Sequence, residues 1–165
     1  MTPRQRPAPF ADQLFAAYLR GHLLGASVGV RLAQRLAQDP WTNGQLDHMP
    51  EELSEEIRFV RRWAREYSAL GETAINLSLI ATGTASTTLA LFAPTRRPVV
   101  RTVALEAMRT MVLAKKAMWE MGSSIVIDDD ERTRSLERFD RRALHQATEL
   151  HMLHVRSSAE LFGRA

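Results

Sequence analysis

Six small residues, Ala17, Gly21, Gly25, Gly29, Ala33 and Ala37, recur every four positions through the first apolar stretch of the chain. On an α-helix that spacing places them along one i±4 ridge, where a second backbone can approach closely. Each interior glycine costs a helix about 1 kcal/mol against alanine, so the ridge demands an offsetting contact. It predicts a helix seated tightly on another helix, from the same chain or from a second copy.

Helical periodicity continues almost to the end, and no alternating apolar and polar run bounded by turn signals suggests a sheet. Five helical stretches are expected. The first spans Ala11 to Gln38 and closes at Asp39-Pro40, with the turn pair Asn43-Gly44 in the linker that follows. The second starts at Pro50, with Glu51 and Glu52 in its first turn, and ends near Leu70 with Gly71 as its cap. The third, Glu72 to Phe92, is rich in Thr, carries Gly83 and is the poorest helix former. The fourth covers Val99 to Met121. The fifth follows Asp128-Asp129-Asp130, whose carboxylates cap and complement its N-terminus, and reaches Phe162.

The 165 residues suffice for one domain with its own core, taken as 11–165 behind a proline-bearing disordered arm, 1–10. There is no cysteine, which removes thiolate chemistry, disulfides and every Cys-bearing metal site. That absence fits a reducing cytoplasm, and the arm lacks the apolar core of a secretory signal. Thr73 to Thr95 is uncharged and long enough to span a bilayer, but its Asn, Ser and Thr load argues for a buried helix and against a membrane span. Of 22 basic residues 20 are Arg, yet 19 acidic residues leave a net charge of only +3. The runs Arg58, Arg61, Arg62, Arg65 and Arg132, Arg134, Arg138, Arg141, Arg142 are interleaved with Glu51, Glu55, Glu66, Glu131, Glu137 and Asp140. They read as solvated faces laced with ion pairs, and nucleic-acid binding through them is the lesser alternative.

Helical wheels bring a few polar residues onto apolar faces. His22 falls among Phe15, Tyr18, Gly29, Ala33 and Leu36; Glu56 shares a face with Leu53, Val60 and Trp63; His154 joins the Leu136, Phe139, Ala143, Leu150 stripe; Glu106 borders the apolar side of its helix. His145 and Glu149 point to solvent. Inward imidazole and carboxylate groups are the raw material of a metal centre in a helical bundle, so His22, Glu56, Glu106 and His154 form the alternative metal set, for iron or manganese. The specific Glu-x-x-His signature is missing. With helices one and two antiparallel, Glu56 comes opposite about residue 32, some 15 Å of helix rise from His22. Hydrogen-bonded core side chains are therefore the preferred reading, with an Arg or a helix end as partner for Glu56 and no cofactor required.

The stretch His22-Leu23-Leu24-Gly25-Ala26, with Gly29, Arg35, Leu105-Glu106-Ala107, Lys115 and Trp119, resembles a family of uncharacterised helical proteins of about this length from actinobacteria. The resemblance covers most of the chain beyond the arm, and the Thr-rich third segment departs from it. It implies a ferritin-like bundle without established activity. The expected fold is all-α: a ferritin-like four-helix bundle from segments one, two, four and five, with Glu72 to Phe92 as an additional crossover helix that lets segments two and four run parallel. The expected function is a non-catalytic, cytoplasmic interaction or structural protein, homodimeric through the ridge or the third segment. A degenerate ferritin-like metal-binding protein is the alternative, and no small-molecule ligand is legible.

Overall fold

The computed structural model describes residues 9–68, 95–126 and 129–163. Four long helices account for most of them: α1 (Pro9–Ala37), α2 (Met49–Ser68), α3 (Pro98–Ile125) and α4 (Asp130–Phe162). No strand occurs among the described residues. The expected crossover helix, Glu72 to Phe92, and its cap Gly71 lie outside them, as do residues 1–8 of the arm. Helix α1 begins at Pro9, so Pro9 and Phe10 belong to the helix and not to the arm.

Local chemistry sets the boundaries. Asp39 accepts a hydrogen bond from the Trp41 amide and caps a single 3-10 turn, Pro40–Thr42, with proline at its first position. Asn43 and Gly44 both take positive φ, 51° and 74°, which reverses the chain toward α2. At the other junction Asp129 caps α4 by accepting from the Arg132 amide at 2.9 Å, as the acidic turn predicts.

Side-chain pairs fix the directions. Phe15 packs on Trp63 and Tyr67, which makes α1 and α2 antiparallel. Thr102 with Ser157, Lys115 with Gln146 and Trp119 with Phe139 make α3 and α4 antiparallel. Glu66 with Arg132 and Glu55 with Arg138 set α2 against α4, again antiparallel. Glu56 with Lys115 and Phe59 with Trp119 rise together, so α2 and α3 run parallel, as expected.

The core lies where the four inward faces meet. Trp63, Trp119, Phe139, Leu105, Met108, Leu136 and Leu150 are among its fully buried side chains. Phe59, Trp119 and Phe139 form a contiguous aromatic cluster with centroids 5.0–6.0 Å apart. At one end of the bundle the Arg101 and Arg156 guanidinium groups both lie against the Trp41 ring, 4.4 and 3.9 Å from its centroid. Buried Asp39 pairs with Arg101 at 3.1 Å, tying the α1–α2 linker to α3.

At Gly25 and Gly29 the small-residue ridge does not seat a neighbouring helix tightly among the described residues. A methyl group built on Gly25 meets nothing within 4 Å, and on Gly29 it meets only the Met111 sulfur at 3.8 Å. Close approach occurs elsewhere, at Gly122. A methyl there would stand 2.6 Å from the Trp63 ring and 3.2 Å from Leu136.

Candidate functional site

Where the ridge leaves room, α1, α2 and α3 enclose a partly open cavity of about 150 Å³. Its floor is apolar, from Leu53, Val60, Met108, Met111, Val112 and Met118, and Gly21, Gly25 and Gly29 form the α1 wall. Close packing within the chain, expected of the ridge, is thus not met at Gly25 and Gly29 among the described residues. Lacking side chains, they keep the space open.

Three polar residues line the same cavity: His22, Glu56 and Lys115. Glu56 is 2% exposed, as its place on the α2 wheel predicts. Its nearest partner is Lys115, whose Nζ lies 2.6 Å from Glu56 Oε2, with the expected arginine as a second, weaker one. Arg142 stands farther off, 3.8 Å from Glu56 Oε1. Burial pushes the Glu56 carboxyl above its usual range and the Lys115 ammonium below its own; each group's attraction for the other opposes the shift. Lys115 also donates to Gln146 Oε1 at 2.6 Å, and Gln146 donates to Glu52 Oε2 at 2.7 Å. A polar chain therefore runs from the cavity wall across α4 to the start of α2.

Two lining residues carry polar atoms left without a hydrogen bond. Both Glu56 carboxylate oxygens and the Trp119 indole Nε1 are sealed from solvent, and none finds a hydrogen-bond partner among the described residues, Oε2 having its ion pair with Lys115. Buried donors and acceptors are nearly always satisfied, so an orphan of each kind around one cavity is a chemical signal. His22 is half-buried, and its ring packs edge-on against Tyr18 with centroids 4.6 Å apart. Burial lowers its pKa and favours the neutral imidazole.

The sequence-derived metal set does not gather. His22 and Glu56 share the cavity, which the expected 15 Å separation did not foresee. Phe15 meets Trp63 and Tyr67, so Glu56, about two to three turns back along α2, comes level with the Gly21–Gly25 stretch. Glu106 is exposed, and His154 is half-buried rather than fully inside. Among the described residues, the group with three potential ligand atoms within 4.8 Å of one another is a different one: His48, His145 and Glu149. Sequence reasoning placed His145 and Glu149 in solvent and did not single out His48. The available signal was the repeated spacing His48-x-x-x-Glu52 and His145-x-x-x-Glu149, one helical turn in each case.

The arginine faces carry the ion pairs expected of them. Arg58 pairs with Glu51, Arg138 and Arg142 with Glu55, and Arg132 with Glu66. The hydrogen bond from Arg142 holds the Glu55 carboxyl below its usual range. No helix among the described residues is long and apolar enough to cross a membrane.

Comparison with protein-family models, with curated proteins and with solved structures gives no match. The resemblance to an actinobacterial family therefore gains no support from relatives, and what stands is an all-α arrangement of four packed long helices among the described residues.

Proposed function

We propose that this protein is a non-catalytic binding protein whose bundle holds a compact apolar molecule bearing one hydroxyl. The observation that carries the reading is the cavity, apolar over most of its wall and bordered by Glu56, whose two carboxylate oxygens make no hydrogen bond among the described residues, and by Trp119, whose Nε1 donor makes none either. A hydroxyl both gives and accepts a hydrogen bond, and so answers both. A volume of about 150 Å³ suits a single aromatic ring with a short substituent. Glu56 and Lys115 are engaged with each other, which supports binding over turnover.

The bundle is read as ferritin-like, with Glu72 to Phe92 as its crossover; the parallel course of α2 and α3 supports this, because parallel neighbours need a connection that returns along the bundle. A cytoplasmic site of action is supported by the absence of cysteine.

Methyl NMR of the full chain tests the reading, with Met108, Met111 and Met118 as reporters inside the cavity. Benzyl alcohol should shift these methyls saturably and bind more tightly than toluene. The variant Gly29→Leu, whose side chain projects toward Met111, should abolish both responses. Failure of either compound to shift any of the three methyls would remove the proposal.

A second reading, a homodimer through α1, is favoured by Leu24, which is 77% exposed beside the open Gly25. Light scattering on a size-exclusion column decides it: a monomer at micromolar concentration ends that reading and leaves the cavity untouched.

A further inference from the structure

Away from the cavity, on the outer surface where the start of α2 meets the middle of α4, His48, His145 and Glu149 converge. His48 Nε2 lies 3.1 Å from Glu149 Oε2, and His145 Nδ1 lies 3.5 Å from the same oxygen. His48 Nε2 and Glu149 Oε2 are both sealed from solvent, yet neither makes a hydrogen bond among the described residues. Glu52 stands behind them, its Oε2 3.9 Å from His48 Nε2 and held by Gln146.

We propose that this cluster is a zinc-type divalent metal site, with His48, His145 and Glu149 as ligands and a fourth position left for water. The spacing is the first argument. Zinc bound to nitrogen and oxygen at about 2.0–2.1 Å in a tetrahedron sets its ligand atoms about 3.3–3.4 Å apart, which the two measured edges bracket. Donor chemistry is the second. Two imidazoles and one carboxylate are the borderline set that suits zinc, and a site with three protein ligands keeps a position for water. Support from the fold is the third. His145 and Glu149 lie one turn apart on α4, and His48 is fixed by the linker turn that launches α2, so the ligands come from elements already locked together by the Glu55–Arg142 contact.

Charge is accommodated as well. Arg142 offsets Glu52, its Nε 3.4 Å from Oε1, so Glu149 supplies the net negative charge next to the ion. The site is independent of the cavity reading, because it lies on other side chains and needs no apolar ligand.

Isothermal titration of the tag-free full-length chain with zinc chloride tests the proposal. One equivalent should bind saturably, and His145→Ala and Glu149→Gln should each weaken binding by about tenfold or more. His151→Ala, which removes an exposed imidazole on the same helix, should leave it unchanged. Circular dichroism melts confirm that the variants are folded; His145 is exposed and its loss removes no core contact. Absence of a saturable equivalent, or His145→Ala binding zinc as tightly as the native chain, overturns the assignment.

Discussion

Glycine does opposite work at two levels of this bundle. At Gly122 the missing side chain lets α3 close onto the Trp63 ring, and a single methyl there would collide at 2.6 Å. At Gly25 and Gly29 the missing side chains leave space against α3 that a methyl could enter freely. The first is a packing device and the second a lining. A stripe of small residues in a sequence reports that bulk is absent, and only the neighbouring helix decides whether the gap is closed or kept.

The buried Glu56–Lys115 pair lines the open level, and the largest expected effect comes from breaking it. Lys115→Met leaves the buried carboxylate with only the more distant Arg142 as counter-charge and should cost about 3 kcal/mol in urea unfolding. The double variant Glu56→Leu with Lys115→Met should recover most of that loss, since replacing both charges with hydrocarbon is often neutral. A loss under about 1 kcal/mol for the single variant, typical of an exposed pair, would show that water reaches the pair and that the open level extends further inward.

The contrast itself is tested by two alanines. Gly122→Ala should destabilise by about 1–3 kcal/mol, because Trp63 and Leu136 must move. Gly25→Ala should instead stabilise by about 1 kcal/mol through helix propensity alone. Stabilisation by Gly122→Ala together with destabilisation by Gly25→Ala would reverse the assignment of the two levels; thermal or denaturant unfolding reads both.

A smaller, pH-dependent effect sharpens the picture of the wall. Burial raises the Glu56 pKa in the folded state above its unfolded value, so the folded protein holds that proton more tightly. Stability from this group is then fully present below the unfolded value of 4.5 and is lost as pH rises through the folded value. Glu56→Gln lacks this titration, so its stability relative to the native chain should improve as pH rises from 4 toward neutrality. A relative stability that stays flat or falls over that range would mean that Lys115 attraction outweighs burial.

Much of the fold could be read from residue order. The wheel of α2 placed Glu56 inside, the acidic turn announced the start of α4, and Asn43-Gly44 marked the reversal between the first two helices. The site was less legible. The register of α1 on α2 is set by Phe15 against Trp63 and Tyr67, a contact between side chains far apart in sequence, and linker length alone misjudged it. Lys115 drew notice through a family resemblance and not through its own position, because a lysine beside an apolar stripe commonly reaches water. His48 escaped because a histidine in a linker has no periodicity to betray it, and its two companions lie on a face that a single-helix wheel assigns to solvent. Only the docking of α4 onto α2 turns that face into a convergence point.

The parallel course of α2 and α3 bears on how the chain reaches this state. It divides the molecule into two antiparallel hairpins, α1 with α2 and α3 with α4, each built from contacts between successive helices. The seam between them is made by partners far apart along the chain, such as Glu66 with Arg132 and Trp41 with Glu160. Closing such distances carries the greater entropic cost, so the hairpins are expected to assemble before their union, which stopped-flow refolding would show as mutations at the Glu66–Arg132 seam changing the unfolding rate more than the folding rate.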